Sequence, residues 1–520
     1  LGWQCDNVRA AYSEISQDIQ NEVYAGARAF VQANKGRYKC GGYIYTGEGQ
    51  DLGQFWAELN VGNAKAKKTT ANESITKANA MYSIAGATFG IFSDQNCSKQ
   101  IGTLTTNGNG ETNEVEATAG TVYIKELSAP KGYKLDTTVR SLKVEAGKTA
   151  VLNVSDVPKV TETLVDLFKI DMETGKATAQ GNAALAGAEF TWHYYDGLYT
   201  KDNLPEKATR TWVTKTVAEK DSDGTIYYVT KLSDAYKVSG DAFYTQNEKS
   251  VLPLGTLTVE ETKAPNGYLL DGAYMQAGDS TEQIKGMYLT QITEDGELAV
   301  LSGSNQYSVS DQVIRGGVKI QKCDLETKDT KAQGSATLKD AAFAIISLNE
   351  NPVLVEGKLY KKNETVKTIQ TGIDGIATTS ADLLPYGKYK LEETKAPEGY
   401  LTDGAKAIEF SITENGKIVN LTDESHSIYN QIKRGDLEGV KIGAGKHKRL
   451  ANVPFKITSK TTGESHIVVT DKNGQFSTVS DWASHKKNTN VGITSEDGIW
   501  FGTSEPDDSK GALLYDTYEI

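Results

Sequence analysis

The chain has 520 residues, and at roughly 100 to 200 residues per domain this length predicts about three to five domains. It carries 56 Lys and Arg against 68 Asp and Glu, a net charge of −12 without long runs of one sign. This balance excludes the basic surface expected of proteins that bind nucleic acid or anionic lipid. No apolar stretch reaches the roughly 18 residues of a membrane span, so no span is expected in this chain.

Residues 1–61 do not share the pattern of the rest of the chain. Apolar residues at helical spacing predict a helix over about 7–34, and the segment 37–44 predicts a strand. A helix and strands without a complete core are typical of the C-terminal remainder of an upstream domain. The expected fold of this part is a short α+β segment.

The cysteines give no sign of a metal site or a disulfide framework. They lie far apart, without CxxC or Cys/His ligand spacing, and are Cys5, Cys40, Cys97 and Cys323. A Cys5–Cys40 bridge and four free thiols are both compatible with the sequence. No metal and no cofactor is therefore expected.

Three segments of the chain repeat one motif, a short strand followed by Glu and the box Ala-Pro-x-Gly-Tyr. The copies are YIKELSAPKGY at 123–133, TVEETKAPNGY at 258–268 and KLEETKAPEGY at 390–400. Their glutamates, which recur about every 130 residues, are Glu126, Glu261 and Glu393. A period this long indicates whole repeated domains, because solenoid repeats run at roughly 20 to 50 residues.

A Leu-x-Gly/Asp-Ala-x-Phe motif, with Ile for Leu in the first copy, precedes each box, and a lysine lies 21 residues before its Phe. The three lysines are Lys68, Lys169 and Lys322. Each ends a short alternating strand, such as VDLFK, in which Val165, Leu167 and Lys169 share one face. The pattern predicts a lysine on the buried face, where a lone ammonium has nothing to replace its lost solvation.

A third marker closes each repeat with one Asp or Asn shortly before the next repeat begins. The segments are 155–158, 310–316 and 429–435, and their residues are Asp156, Asp311 and Asn430. Every full repeat therefore has Lys, Glu, and Asp or Asn in that order. The predicted domains are 62–159, 160–315 with an insertion near 193–250, 316–434, and a fourth at 435–520.

The fourth repeat has Lys441 in the lysine position, without the later partners. Its LANVPF motif ends at Phe455, only 14 residues further on. The run LYDTYEI at 514–520 matches LPYGKYKLEE at 384–393, which puts the equivalent glutamate just after Ile520. The expectation is a truncated domain within a longer polypeptide.

A lysine, a glutamate and an Asp or Asn that are buried together can react with one another. Burial disfavours charge, so the lysine pKa falls, the glutamate pKa rises, and a neutral amine beside a protonated acid becomes accessible. The amine attacks the side-chain carbonyl of Asp or Asn while Glu transfers protons to the departing water or ammonia. The product is one intramolecular amide per domain, so no turnover is expected and the chain is not an enzyme.

For any single repeat the alternative is a buried Lys–Glu ion pair with an Asp or Asn that caps a strand end. Recurrence of the ordered set in three repeats, at a fixed Lys-to-Phe spacing, favours the reactive interpretation. The predicted sets are Lys68/Glu126/Asp156, Lys169/Glu261/Asp311 and Lys322/Glu393/Asn430. In the first repeat Lys65 and Lys67 stay open as alternatives to Lys68.

Four features of the repeats resemble the Cna-B (SpaA-type, prealbumin-like) domains of Gram-positive surface proteins and pilins. They are the Lys-x-Asp runs at Lys169 and Lys322, the LAGAxF strand, the E(T)xAPxGY box and the closing Asn or Asp. The resemblance covers about 62–520. It implies a mainly β fold of tandem β-sandwich domains with self-generated Lys–Asn/Asp isopeptide bonds, strung into a stalk anchored by sortase. The first repeat departs from it with KKTT at the Lys-x-Asp position, and the fourth has Gly443 there. Residues 1–61 resemble the end of a thioester adhesion domain.

The function implied is a cell-surface structural stalk or adhesin of a Gram-positive bacterium, located outside the cell on the cell wall or a pilus. The expected partners are a host or surface ligand, bound by an upstream head, and neighbouring pilin subunits. Two alternatives stay open. One is a pilin backbone polymerised by sortase, and the other is the spacer of a secreted glycan-active enzyme.

Overall fold

The computed structural model describes residues 17–45, 52–162, 166–276, 283–296, 307–402, 404–494 and 498–520. About 48% of the described residues are in strands and 4% in helices, which confirms the predicted mainly β class with a short α+β segment in front. Among the described residues, strands pair within an N-terminal hairpin and within four successive groups, here called domains 1 to 4. The groups begin at Val61, Val160, Arg315 and Arg434.

The N-terminal segment consists of a helix and a hairpin. Helix α1 is Gln17–Ala33, and the antiparallel strands are β1, Tyr38–Tyr45, and β2, Leu52–Leu59. The predicted helical residues 7–16 and Cys5 lie outside the described residues, and so does any Cys5–Cys40 bridge. Of the described cysteines, Cys40 is exposed and Cys323 is buried.

Domain 1 is two sheets packed face to face. Its elements are β3 Val61–Thr70, α2 Glu73–Thr76, β4 Thr88–Phe92, β5 Gln100–Thr105, β6 Val115–Thr118, β7 Gly120–Ser128, β8 Arg140–Val144 and β9 Thr149–Asp156. One sheet has the order β6-β3-β9 and the other β5-β4-β7-β8. Alternating residues of both sheets, among them Ala66, Phe89 and Ile124, form the buried core.

Domain 2 is the largest. Its elements are β10 Val160–Glu162, β11 Leu167–Asp171, β12 Glu189–Tyr195, a 3₁₀ turn at Lys201–Asn203, β13 Arg210–Lys215, β14 Val217–Lys220, β15 Ile226–Thr230, β16 Lys237–Gly240, β17 Tyr244–Gln246, β18 Lys249–Pro253, β19 Gly255–Lys263, β20 Tyr268–Gln276, β21 Gln283–Lys285, β22 Tyr288–Ile292 and β23 Tyr307–Val313. The sheets have the orders β14-β15-β11-β23-β20-β21, β16-β13-β12-β19-β22 and β10-β18-β17. The segment predicted as an insertion, 193–250, thus widens both main sheets.

Domain 3 repeats the plan of domain 1. Its strands are β24 Arg315–Asp324, β25 Ala342–Ser347, β26 Val353–Val355, β27 Lys358–Tyr360, β28 Thr365–Gln370, β29 Ile376–Thr378, β30 Leu384–Pro385, β31 Gly387–Lys395, β32 Ile408–Ile412, β33 Lys417–Leu421 and β34 Ile428–Asn430. Strand β24 pairs with β29, β30, β33 and β34, while the facing sheet has the order β28-β25-β31-β32.

Domain 4 has shorter strands around a core of its own. They are β35 Arg434–Gly435, β36 Glu438–Val440, β37 Pro454–Ser459, β38 Ser465–Val469, β39 Gln475–Ser477, β40 Thr489–Asn490, β41 Ile493–Thr494, β42 Leu513–Leu514 and β43 Tyr518–Glu519. The Tyr518 hydroxyl donates to the Leu514 carbonyl at 3.0 Å, as the Tyr389 hydroxyl donates to the Pro385 carbonyl at 2.8 Å in domain 3. The two domains therefore share the strand alignment expected from LYDTYEI and LPYGKYK.

Candidate isopeptide sites

In domains 1 to 3 the lysine lies on an N-terminal strand (β3, β11 or β24) and the Asp or Asn on the last strand, and these two strands are parallel neighbours. In domain 1, Lys68 is opposite Val154, so Asp156 lies two residues further along β9. A step of two residues returns a side chain to the same face of a sheet, so Asp156 faces the core beside Lys68. The other domains have the same offset, with Lys169 opposite Val309 before Asp311, and Lys322 opposite Ile428 before Asn430.

The glutamate comes from the facing sheet, next to a β-bulge. In domain 1, Glu126 of β7 is opposite Phe89 of β4, and the register shifts between Thr88 and Phe89. The same bulge precedes the Phe in the other two domains, where the pairs are Phe190 with Glu261 and Phe343 with Glu393. A bulge bends the strand and redirects the neighbouring side chains. The recurrent Phe of the LAGAxF motif thus marks where the glutamate enters the core.

In domains 1 and 3 the same Phe side chain contacts the lysine, a role that its spacing alone did not reveal. The Nζ atom of Lys68 lies 4.7 Å from the centroid of the Phe89 ring, and that of Lys322 lies 5.9 Å from the Phe343 ring. An aromatic face attracts an ammonium but supplies little of the solvation that it loses. The ring therefore holds the amine in position while keeping water away from it.

In domain 1 the three predicted residues are in contact. The Nζ atom of Lys68 contacts Glu126 Oε1 and lies 2.5 Å from Asp156 Oδ2, and the Lys68 side chain is 0% exposed. Burial raises the pKa of the Asp156 carboxyl above its usual range. Lys67, by contrast, is exposed and lies 3.8 Å from Glu111, and Lys65 is half-buried on the same face as Lys67. Among the three candidate lysines, only Lys68 is placed in the core.

In domain 2 two carboxyl groups share one lysine. The Nζ atom of Lys169 lies 2.7 Å from Glu261 Oε2 and 2.6 Å from Asp311 Oδ1, and all three side chains are buried. Burial raises the pKa of Glu261 to about 8, with the negative charge of Asp311 adding to the shift. Burial also raises the pKa of Asp311. A protonated acid is thus accessible here near neutral pH.

In domain 3 the oxygen and the nitrogen of the Asn430 carboxamide have different partners. The Nζ atom of Lys322 lies 2.5 Å from Asn430 Oδ1 and 3.1 Å from Glu393 Oε1. The Nδ2 group of Asn430 donates a hydrogen bond of 2.8 Å to Glu393 Oε2. Burial lowers the pKa of Lys322 to about 8, so a substantial fraction of the amine is neutral at physiological pH.

The contacts of the two aspartates are poor as salt bridges. Although each lies within 2.6 Å of a lysine Nζ, no carboxylate oxygen of Asp156 or Asp311 accepts a well-directed hydrogen bond from any described residue. The lysine Nζ is thus close to the carboxyl group but is not directed at the lone pairs of its oxygens. A buried carboxylate without well-directed hydrogen bonds is costly.

The Asp of the Lys-x-Asp motif has a different partner from the Asp of the reactive set. Asp171 is buried and accepts a hydrogen bond of 2.9 Å from the hydroxyl of Tyr268, the tyrosine of the Ala-Pro-x-Gly-Tyr box. Asp324 accepts one of 2.8 Å from Tyr400 in the same way. This bond ties the box to the start of the loop that follows the lysine strand. The two sequence motifs are thus two halves of one contact.

Lys441 in domain 4 is the predicted site residue without a set. Its Nζ atom lies 6.0 Å from the ring of Phe455, an arrangement similar to that of Lys322 and Phe343. Within the part of 434–520 that the structure describes, no carboxylate lies within ion-pair distance of Lys441. Lys441 is half-buried and is not enclosed as the other three lysines are.

The described residues show neither a metal-ion cluster nor a membrane-spanning helix. In the ranges given above, no group of three or more His, Cys, Asp or Glu side chains is arranged to hold a metal ion. None of the helices in those ranges has the length and apolar character needed to cross a bilayer.

The SpaA prealbumin-like fold domain family matches residues 72–158 and 318–425. The chain contains SpaA prealbumin-like domains. The matched segments lie in domains 1 and 3 and include four of the predicted site residues: Glu126, Asp156, Lys322 and Glu393. The predicted resemblance to this family is confirmed.

Three similar proteins match only part of this chain or have low sequence identity to it. The trypsin-resistant surface T6 protein of Streptococcus pyogenes is 34% identical over 88 residues, which are 15% of this chain and 16% of that protein. The Bacillus anthracis TIE protein is 23% identical, with 76% of this chain and 58% of that chain covered and a TM-score of 0.43. The major pilin BcpA of Bacillus cereus is 19% identical, with 72% and 100% covered and a TM-score of 0.26. The chain thus spans a small part of its curated relative.

Proposed function

We propose that these prealbumin-like domains form part of a structural stalk on the surface of a Gram-positive bacterium, and that domains 1 to 3 each close themselves with an intramolecular amide. The proposed bonds are Lys68–Asp156, Lys169–Asp311 and Lys322–Asn430. Glu126, Glu261 and Glu393 are the proposed proton-transfer groups. The observation that carries the proposal is the recurrence of one buried arrangement in three successive domains, at one offset between the lysine strand and the parallel last strand.

In the proposed reaction the neutral lysine Nζ attacks Cγ of Asp or Asn and forms the amide bond. The amine gives up one proton, and Cγ loses a hydroxyl group as water in domains 1 and 2 or its amino group as ammonia in domain 3. The glutamate carboxyl donates a proton to the leaving group and takes up the proton that the amine releases, so it ends unchanged. Groups held in contact by the fold react at effective molarities on the order of 10⁵ M or more.

The hydrogen bond from Asn430 Nδ2 to Glu393 Oε2 supports this assignment of roles. It places the leaving nitrogen on the group that must protonate it, while Lys322 Nζ is at the other side of the carboxamide. A simple buried ion pair requires no such division of contacts. The raised pKa of Glu261 and the lowered pKa of Lys322, both about 8 and both due to burial, are the shifts that the reaction requires.

The proposed bonds suit a chain that carries tension. Each one joins a strand near the start of its domain to the last strand, so a pulling force passes through a covalent bond and bypasses the hydrogen bonds between these strands. A cross-link of this kind restricts the unfolded chain as a disulfide does, but thiols do not reduce it. A ligand-binding head and neighbouring pilin subunits are the partners we propose for the complete protein, outside the cell.

The test is the intact mass of the folded chain. The expected value is the sequence mass less two molecules of water and one of ammonia, and tryptic digestion should yield branched peptides that contain each lysine with its partner. The matched control is the triple variant with Gln in place of Glu126, Glu261 and Glu393, which should have its full sequence mass. An unshifted mass for the wild-type chain would leave only the ion-pair interpretation.

A further inference from the structure

The junctions between domains 2 and 3 and between domains 3 and 4 contain the same pair of side chains. Arg315 is the first residue of β24 and Arg434 the first of β35. Each arginine lies four residues after the Asp or Asn of the preceding domain. Each pairs with a glutamate, Glu173 or Glu326, that lies four residues after the lysine of that domain. The contact therefore joins the loop after the lysine strand to the point where the chain leaves the domain.

At the junction of domains 2 and 3 the arginine binds both sides at once. Its Nε and Nη2 atoms donate to the two carboxylate oxygens of Glu173 at 2.7 and 2.6 Å. Its remaining donors bind carbonyls of domain 3, at 2.9 Å for Leu383 and 2.7 Å for Leu354. Gln180 of domain 2 accepts a hydrogen bond of 2.8 Å from the Leu354 amide. Both charged side chains are mostly buried, at 17% and 15% exposure.

The junction of domains 3 and 4 repeats these contacts with deeper burial. Arg434 donates from Nε and Nη2 to the oxygens of Glu326 at 2.9 and 2.7 Å, and the two side chains are 2% and 4% exposed. Its other donors bind the carbonyls of Ala512 at 3.3 Å and Phe501 at 3.0 Å, both in domain 4. The guanidinium also stacks 3.7 Å from the ring of Trp500.

We propose that Arg315 and Arg434 are rigid joints that fix the angle between consecutive domains, so that domains 2, 3 and 4 behave as one rod. The guanidinium is planar and has its donors in a fixed fork, so binding a carboxylate of one domain and carbonyls of the next sets their relative orientation. Bending the junction would break the hydrogen bonds of a buried ion pair, which is unfavourable. This role is separate from the amide bonds, which act within single domains.

The acid partner stays ionised under physiological conditions. Burial alone raises the pKa of the Glu326 carboxyl, but hydrogen bonds from Arg434 and Gln431, together with the charge of Arg434, outweigh it and lower the pKa to about 2. Lys510 lies 3.5 Å from the same carboxylate and Ser504 donates to it at 3.0 Å. The contact is therefore a charged one throughout the neutral range.

The junction of domains 1 and 2 has no such arginine and is built differently. The position four residues after Asp156 is Val160. Tyr82 and Tyr133 of domain 1 instead share an apolar core with residues of domain 2, and the Tyr82 hydroxyl donates to the Lys159 carbonyl at 2.6 Å. The arginine contact is thus a specific feature of the two later junctions.

The experiment measures the distance between domains 3 and 4 in the full 520-residue chain by electron paramagnetic resonance. Spin labels are attached at Thr368→Cys and Lys456→Cys, both exposed positions within strands β28 and β37. The thiols Cys5, Cys40 and Cys97 are replaced by Ser, while Cys323 is buried and does not react. The same labelled chain is then compared with Arg434→Ala, Arg434→Lys and Glu326→Gln.

The wild-type chain should give a narrow distribution of distances, and Arg434→Ala should broaden and shift it. Arg434→Lys should give a distribution almost as broad as that of Arg434→Ala, because the point charge of a lysine cannot replace the bidentate fork of the guanidinium. If Arg434→Ala unfolds domain 4, Glu326→Gln tests the same contact from domain 3. Lys433→Ala, which removes a neighbouring exposed cation, should leave the distribution unchanged. A broad wild-type distribution, or equally narrow ones in Arg434→Ala and Glu326→Gln, would overturn the proposal.

Discussion

Replacing Glu393 by Gln removes one carboxyl group from the buried set of domain 3 and keeps its shape. The carboxamide can still accept the hydrogen bond from Asn430 Nδ2, so the fold and the contact between Lys322 and Asn430 should be retained. Gln cannot take up and return a proton near neutral pH, so the amide should not form. The variant is therefore expected to be folded but open.

The loss of stability follows from the loop that the bond closes. Lys322 and Asn430 are 108 residues apart, and the loop-entropy relation gives a stabilisation of about 5 kcal/mol for a cross-link of this span. The melting temperature of a domain of about 100 residues changes by roughly 4 °C per kcal/mol, so the transition of domain 3 should fall by about 20 °C. The buried Lys322 also loses its charged partner, which adds to the decrease.

Two measurements check the variant. Intact mass should show Glu393→Gln retaining the ammonia that the wild-type chain loses, and calorimetry should show one transition moved to lower temperature. The matched control is Glu392→Gln, because Glu392 is its neighbour on β31 with an exposed side chain that pairs only with Lys390, at 3.1 Å, among the described residues. If Glu393→Gln still loses ammonia and melts with the wild-type protein, Glu393 has no role in forming the bond.

Three further predictions concern the other lysines and the pH dependence. Lys68→Arg should restore one water to the intact mass while Lys67→Arg leaves it unchanged, because only Lys68 is placed in the core; the reverse result would move the bond to Lys67. Lys441 should react with an amine-specific reagent while Lys322 is protected, and protection of both would show that Lys441 has a partner. When chain that has never folded is refolded from inclusion bodies, branched peptide from domain 3 should form more slowly as pH falls through about 8. Below that pH the Lys322 amine, whose pKa burial lowers to about 8, gains the proton that prevents its attack on Asn430; a rate that is unchanged down to pH 6 would contradict attack by the neutral amine.

The sequence by itself determined the repeated unit and the candidate members of the buried set. A strand forces alternate residues onto one face, so the position of Lys169 relative to its apolar neighbours already predicted that it lies in the core. The recurrence of the glutamate box about every 130 residues supplied the third member. These inferences depend on local periodicity and on repetition, both of which are properties of the chain before it folds.

Only the tertiary structure decided which groups meet and at what offset. That Asp156 is two residues beyond the partner of Lys68, and that Glu126 enters at a bulge beside Phe89, depends on strand pairing between distant segments. The arginine joints were missed for the same reason. The sequence signal was a Glu four residues after the lysine and an Arg four residues after the Asp or Asn. A spacing along the chain, however, does not tell which domain a side chain will contact. Arg434 acquires its role because the chain turns from one sandwich into the next at that residue, where a bidentate cation can bind both.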